Sequence, residues 1–280
     1  MTPVGTRLQV IAAALLFSTG GAAIKLTSLD GWQVASFRSA IAAVVLFATI
    51  PRARTGWSWR LLPTAAAYAA TLVTFVLATK MTTAANAIFL QSTAPLYILV
   101  LGPLLLGERV SRSDLVYVFV VAAGIALLFL DVQPVLATAS DPKRGNLIAA
   151  GSGMSWALTI IGLRWIGRSD ADATVATVVA GNLLACGAAL PLALPVMHLG
   201  RIDLAVLLYL GAVQIGLAYA LLTRAIRHVP AFEATTLLLL EPVMNPIWTW
   251  LVHGEQPGIV ALAGGAIVLG ATFVRIRGAG

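Results

Sequence analysis

The stretch APLYILVLGPLLLGER (residues 94–109) has a second version in EPVMNPIWTWLVHGEQ (residues 241–256), and this pair decides the fold. Each stretch carries a proline near its start and a Gly-Glu pair near its end. The residues that match at an offset of 147 are Pro95 and Pro242, Gly107 and Gly254, and Glu108 and Glu255. Nearer the N-terminus, an offset of 139 pairs Phe17 with Trp156 and Lys25 with Arg164. Two copies of one unit, with connectors of different length, predict both offsets.

The composition predicts a membrane protein. Hydrophobic residues make up 59% of the 280-residue chain and charged residues only 10%, with a mean hydropathy of +0.93. A soluble domain carries about 25% charged residues. Unbroken apolar runs such as 42–50 and 115–130 favour helices over the alternating pattern of a membrane barrel. A helix needs roughly 20 apolar residues to cross a bilayer, so the length allows about ten crossings.

The chain divides into ten predicted transmembrane helices and two halves. Residues 1–131 form the first five-helix repeat, residues 132–144 the connector and residues 145–280 the second repeat. The first repeat holds spans at 8–25, 32–50, 61–79, 83–106 and 113–130. The second holds spans at 146–166, 173–196, 204–224, 231–252 and 258–274. Because each repeat has an odd number of spans, the halves enter the membrane from opposite sides, and such inverted repeats are typical of transporters. Chance similarity between apolar helices is the alternative.

The distribution of basic residues predicts the orientation. With the N-terminus inside, most of the 18 Lys and Arg residues lie in cytoplasmic loops, so both termini are expected in the cytoplasm of a bacterial inner membrane. The segment from Arg7 to Phe17 resembles a signal peptide, but its removal would delete one partner of the repeat, so we interpret it as the first span. The net charge of +7 comes without a basic cluster, which argues against nucleic acid as a partner.

The whole chain resembles the drug/metabolite transporter superfamily, in its ten-helix EamA-type branch. The resemblance rests on Pro95 and Pro242 within the fourth and ninth spans, on the Gly-Glu pair after each, and on Arg38 in the second span. Members often carry tryptophan where this chain has Phe17, so a binding role carried over to that position is in doubt. Within the branch, the chain is most similar to bacterial exporters of aromatic and other neutral amino acids. The resemblance therefore implies export of small metabolites, with alternating access of the two halves.

Polar and aromatic side chains at helical spacing mark a candidate substrate path. Such groups within a membrane usually face the interior of the bundle, although some bond their own helix or anchor at the interface. The third span contributes a stripe with Thr64, Tyr68, Thr71 and Phe75, and the fourth contributes Asn86, Leu90, Thr93 and Tyr97. The eighth and ninth spans contribute Gln214, Ala218, Thr236, Leu240, Glu241, Met244 and Trp248, and the sixth contributes Trp156. These residues suit a small amphipathic solute such as an amino acid.

Several further residues have alternative interpretations. Pro95 and Pro242 each remove a helical hydrogen bond, which fits either a gating kink or a structural one. Glu241 either exchanges a proton or binds an amine during transport, or is a packing residue. Arg38 is expected to reach the interface by snorkelling. The remaining expectations concern structural roles: ion pairs or caps for Glu108 and Glu255, and close helix packing at Gly20, Gly21, Gly151, Gly153, Gly264 and Gly265.

Other functions find less support in the sequence. An intramembrane enzyme needs a nucleophile with a base or a metal cluster, and the three histidines stand singly without ligand spacing. We therefore expect no enzyme activity, no metal and no cofactor. A passive channel or an exporter of other amphipathic metabolites or drugs remains the alternative to an amino-acid exporter. A monomer in the lipid bilayer is compatible with the sequence.

Overall fold

The computed structural model describes residues 3–107, 139–226, 237–256 and 258–278, with isolated positions between 116 and 127, at 228–229 and at 234. Helices connected by short turns account for these residues, which contain no β-strand. The helices are α1 (Pro3–Ser18), α2 (Gly20–Leu26), α3 (Gly31–Thr49), α4 (Leu62–Met81), α5 (Ala84–Gln91), α6 (Ala94–Leu106), α7 (Pro142–Ser169), α8 (Ala171–Ala193), α9 (Arg201–Leu208), α10 (Ala218–Ala225), α11 (Leu240–His253) and α12 (Ile259–Gly278). A π-helical stretch, Tyr209–Leu217, connects α9 to α10.

Seven helical segments of the described chain are long and apolar enough to cross a membrane. They are Gly5–Leu26, Gly31–Thr49, Trp59–Met81, Ala84–Leu106, Pro142–Ser169, Asp172–Ala193 and Arg201–Ala225. These segments coincide with the first four predicted spans and with the sixth, seventh and eighth. The predicted fifth span and the first part of the ninth lie largely outside the described residues, as does the connector up to residue 138. The tenth predicted span overlaps α12.

Three of the predicted spans are broken rather than continuous. The first is interrupted at Thr19, the fourth at 92–93 and the ninth at 238–239, so that α6 and α11 start as new helices. Pro95 and Pro242 lie in the first turns of α6 and α11, where a residue without an N–H costs little. The sequence predicted prolines in the middle of continuous helices, and instead each helix stops shortly before its proline. Discontinuous helices of this kind occur at the solute sites of transporters.

Small residues bring the helices close together around the broken segments. Gly153 of α7 packs against the break between α5 and α6, where a Cβ atom would lie 3.0 Å from the Leu90 carbonyl oxygen. Gly20 and Gly21 of α2 lie against side chains of the π-helical stretch and of α11. Gly151 differs from the expectation: no atom lies within 4 Å of a Cβ at this position, because it faces away from the bundle.

The Gly-Glu pairs end their helices in the same way in both halves. Gly107 after α6 has φ 69°, and Gly254 after α11 has φ 66°. Both are left-handed C-caps, a conformation that glycine adopts without steric cost. The repeated glycine is therefore explained by helix termination.

Candidate functional site

A buried cavity lies at the centre of the helices, beside the broken segments. It is lined by side chains from eight different elements and has a free volume of about 390 Å³, with an open core of about 40 Å³. Its lining residues are Phe17, Arg38, Thr71, Leu72, Phe75, Gln91, Trp156, Gln214, Ile215, Tyr219 and Glu241. We call this space the central cavity. Its open core is too small for an amino acid side chain, so a solute enters only if the helices move apart.

An aromatic cluster forms one wall of the central cavity. Tyr219 lies in the middle, with ring centroids 5.0 Å from Phe17, 4.6 Å from Tyr68 and 6.3 Å from Trp156. Phe17 and Trp156 also meet edge to face at 6.4 Å. Such tilted and edge-to-face pairs are favourable and rigid, so the wall offers a preformed apolar surface. The Tyr68 hydroxyl accepts a hydrogen bond from Asn182 Nδ2 at 3.2 Å.

Two charged and two amide side chains face the same cavity. Arg38 of α3 is 2% exposed, and its Nη2 donates to the Leu72 carbonyl at 3.0 Å. Glu241, in the first turn of α11, is 9% exposed. Gln91 Nε2 donates to Ser152 Oγ at 2.7 Å, and Gln214 Nε2 donates to the Phe17 carbonyl at 3.4 Å. The cavity thus combines an aromatic wall with groups of both charge signs.

The burial of Arg38 corrects the expectation that it reaches the interface. Its guanidinium turns toward α4 and the cavity, because α3 packs against α4 and the π-helical stretch on that side. The position of a residue along a helix gives its depth but not the direction in which its side chain points.

Five of the predicted site residues line the central cavity, namely Thr71, Phe75, Trp156, Gln214 and Glu241. Tyr68 stacks behind this wall against Tyr219. A small adjoining cavity of about 280 Å³ shares Gln91, Trp156 and Glu241 with the central one and also contains Pro95. The structure therefore brings together residues predicted on the third, fourth, sixth, eighth and ninth spans.

The other predicted residues lie elsewhere. Asn86, Leu90 and Thr93 are buried but do not line the cavity, whereas Tyr97, Leu240 and Met244 are half-buried. Ala218 is buried in the core next to Tyr219. Pro242 lies on an apolar groove with α12, and Trp248 on another groove, where its Nε1 donates to Ser18 Oγ at 3.1 Å. Thr236 and Glu108 lie outside the described residues.

The π-helical stretch explains why Tyr219 was missed. The predicted face joined Gln214 to Ala218, four residues later, as in an α-helix. A π-helix bonds residues five apart, and Tyr219, five residues after Gln214, shares the cavity with it instead. Arg38 and Gln91 were also missed as lining residues, although each is a polar group within an apolar span.

A buried ion pair ties α2 to the residue that follows the C-cap of α11. Lys25 Nζ lies 3.5 Å from Glu255 Oε1, and both side chains are at most 3% exposed. Lys25 Nζ also donates to the Thr82 carbonyl at 3.0 Å, while Ala84 N–H donates to Glu255 Oε1 at 3.2 Å. Burial raises the pKa of the Glu255 carboxyl, and the Lys25 ammonium opposes that rise. We call Lys25, Thr82, Ala84 and Glu255 the Lys25 latch.

Lys80 makes a reciprocal contact beside this latch. Its Nζ donates to the Thr27 carbonyl at 2.8 Å. Lys25, in the last turn of α2, therefore bonds to the residue after α4, and Lys80, in the last turn of α4, bonds to the residue after α2.

A related set of contacts lies in the second half. Arg164 Nη1 donates to the Val229 carbonyl at 2.7 Å and lies 3.4 Å from the Ile226 carbonyl oxygen. Arg164 is the residue that matches Lys25 at an offset of 139, and Val229 is the one that matches Thr82 at an offset of 147. The basic side chains that correspond in the repeat therefore donate to backbone carbonyls that also correspond.

Long apolar helices around a buried cavity with charged and aromatic walls are the architecture of polytopic membrane transporters. Comparison with known families agrees: the model of the EamA-like transporter family matches residues 6–130 and again residues 143–277. The chain belongs to the EamA-like transporter family.

The chain is also similar to individual proteins. It is 27% identical to the pseudopaline exporter CntI in two strains of Pseudomonas aeruginosa, over 279 residues that cover 96% of this chain and 95% of the relative. A solved crystal structure matches with a TM-score of 0.71 at 18% identity, covering 99% of this chain and 98% of the other. The chain therefore shares its fold, over 99% of its length, with a solved structure of low sequence identity.

Proposed function

We propose that this protein is a secondary exporter of small amphipathic metabolites, foremost neutral and aromatic amino acids, in a bacterial inner membrane with both termini in the cytoplasm. The observation that carries the proposal is the central cavity, which is lined both by the rings of Phe17, Trp156 and Tyr219 and by the polar groups of Arg38 and Glu241. A site that combines apolar walls with a few placed polar groups suits a small solute with both kinds of surface.

The proposed mechanism is alternating access of two inverted five-helix repeats, residues 1–131 and 145–280, through ten spans. Two successive matches to one family model support the repeats. The corresponding contacts of Lys25 and Arg164 support a latch at each end. When one latch opens while the other stays closed, the cavity communicates with one side of the membrane only. The small open core of the cavity fits a state in which both latches are closed.

The candidate gating residues divide between two roles in this scheme. Pro95 and Pro242 start the half-helices α6 and α11, whose movement would open or close the cavity. Gly107 and Gly254 cap the far ends of these half-helices, and Glu255, which follows Gly254, is part of the Lys25 latch. The break at 92–93 separates α6 from α5, and the break at 238–239 precedes α11, so in this scheme each half-helix tilts about its own first turn.

Other metabolites are a second candidate substrate class. The relative that exports pseudopaline supports export of a small metabolite and does not favour amino acids in particular. A substrate panel must therefore extend beyond the standard amino acids.

The test is transport by the purified protein in proteoliposomes. The panel contains radiolabelled phenylalanine, tryptophan, leucine, glutamate and lysine, and amphipathic amines without a carboxylate. We expect saturable uptake of the neutral and aromatic amino acids that excess unlabelled solute abolishes. Equal passage of all members without saturation would indicate a channel, and no uptake of any amino acid would overturn the proposed substrate class.

A further inference from the structure

Two buried ionisable side chains, one basic and one acidic, line the central cavity from different helices. Arg38 comes from α3 and Glu241 from α11, and Tyr219 lines the same cavity. Among the described residues, ion pairs form at Lys25–Glu255, Arg52–Asp172 and Arg144–Asp141, and neither Arg38 nor Glu241 takes part in one. The cavity therefore presents a basic and an acidic side chain that do not form an ion pair with each other.

The hydrogen bonding of Arg38 leaves part of its guanidinium available. Nη2 donates to the Leu72 carbonyl, whereas the buried Nε has no partner within the described part of the chain. The planar guanidinium fork matches the two oxygens of a carboxylate. An anionic group in the cavity would therefore find a preformed donor.

The wall near Glu241 suits a cation. Its carboxyl group attracts an ammonium directly, and the ring faces of Trp156 and Tyr219 in the same cavity add cation–π attraction. Gln214 Oε1 is also buried and lacks a partner within the described ranges, so it offers an acceptor for an ammonium N–H.

An isolated charge is expensive to bury, and an added opposite charge offsets that cost. A solute with a single charge would satisfy only one of the two groups and leave the other unpaired. A solute with both charges pairs with both side chains, provided that its carboxylate faces Arg38 and its ammonium faces Glu241.

We infer that the central cavity selects zwitterionic solutes and binds them in one orientation, with the carboxylate on Arg38, the ammonium on Glu241 and the apolar part against Phe17 and Trp156. This inference rests on the proposed function and adds to it the requirement for both charges and the residue that reads each one. It predicts that Arg38 discriminates against solutes without a carboxylate, and that Glu241 discriminates against solutes without an ammonium.

The experiment is competition against labelled phenylalanine uptake in proteoliposomes. The competitors are unlabelled phenylalanine, its methyl ester, which lacks the carboxylate, and N-acetylphenylalanine, which lacks the ammonium. For the wild type, we expect each analogue to compete at least about tenfold more weakly than phenylalanine, since a hydrogen bond to a charged group contributes at least that factor. In Arg38→Gln, the ester should compete as well as phenylalanine. In Glu241→Gln, the acetyl compound should do so.

These opposite changes in selectivity separate recognition from misfolding, because a damaged fold would not favour the ester in one variant and the acetyl compound in the other. Arg60→Gln, an exposed arginine outside the cavity, is the matched control and should keep the selectivity of the wild type. If the wild type transports phenylalanine but both analogues compete as strongly as unlabelled phenylalanine, the inference is wrong and the exporter function stands.

A binding measurement decides the case in which phenylalanine is not transported. The same three compounds are then compared by their effect on the thermal stability of the purified protein. Stabilisation by phenylalanine alone, with the same reversals in the two variants, would support the inference although the proposed export had failed. Equal stabilisation by all three compounds, or none by any, would overturn it.

Discussion

Breaking the Lys25 latch should open the cavity at one end only. The change is Glu255→Gln, which keeps an acceptor for the Ala84 N–H but removes the charge that faces Lys25 at 3.5 Å. Removing one partner of a buried pair costs about 3–5 kcal/mol. The lower value applies here because Lys25 retains the Thr82 carbonyl and the glutamine retains its hydrogen bond. A loss of about 3 kcal/mol confined to the state with this latch closed shifts the equilibrium about a hundredfold toward opening.

The assay is the rate at which a membrane-impermeant maleimide labels a cysteine in the cavity. Thr71→Cys, in a background that carries Cys186→Ala, provides the reporter in right-side-out and inverted vesicles. With Glu255→Gln, we expect labelling to accelerate at least about tenfold from the side of Lys25 and not from the other. The double variant Lys25→Met/Glu255→Gln should reverse part of this faster labelling, because no uncompensated buried charge remains.

The control is Arg52→Gln, which breaks an ion pair of similar length, 3.4 Å, whose side chains are 59% and 41% exposed. Such a pair contributes about 1 kcal/mol or less, so labelling should stay unchanged. Unaltered labelling in Glu255→Gln, or equal acceleration from both sides, would refute the assignment of this ion pair as a latch.

Three further predictions use the same helices. Arg164→Met should raise labelling of the reporter from the side opposite to the Lys25 latch, as the corresponding contact in the second half, and acceleration from the Lys25 side would contradict this. Trp156→Leu should lower uptake of aromatic amino acids about tenfold, because it removes the ring contacts with Phe17 and Tyr219. Trp165→Leu, on the exposed side of the same helix, should leave uptake unchanged. Equal losses of uptake in the two variants would argue against a binding role for Trp156. Gly153→Ala should destabilise the protein by about 2 kcal/mol in thermal denaturation, because its Cβ meets backbone oxygens, whereas Gly151→Ala should not, and similar melting temperatures would contradict the packing.

The sequence predicted the positions of most spans well and their interruptions less well. Membrane thickness imposes long apolar runs, which can be read without knowledge of neighbouring helices. The breaks at Thr19 and at 238–239 depend on how one helix meets another. Pro95 and Pro242 indicated where the chain is weakened, but a proline fits both a kinked helix and the first turn of a new one.

The composition of the cavity was predictable only in part, because helical spacing assumes a regular helix. Thr71 and Phe75 follow that spacing on a continuous helix and both line the cavity. The π-helical stretch shifts the face by one residue, which puts Tyr219 where Ala218 was expected. Arg38 was interpreted from its depth alone, and its direction is set by packing that involves residues far apart in sequence.

The reciprocal lysine contacts also bear on how the chain assembles during synthesis. Lys25 donates to the Thr82 carbonyl and Lys80 to the Thr27 carbonyl, so neither contact can form before the end of α4 has been made. A nascent chain that stops before residue 80 would hold Lys25 without its acceptor and without Glu255. The end of the first helical hairpin is therefore held in place only after α4 has inserted, and the ion pair with Glu255 forms later still, once the chain beyond α11 has been made.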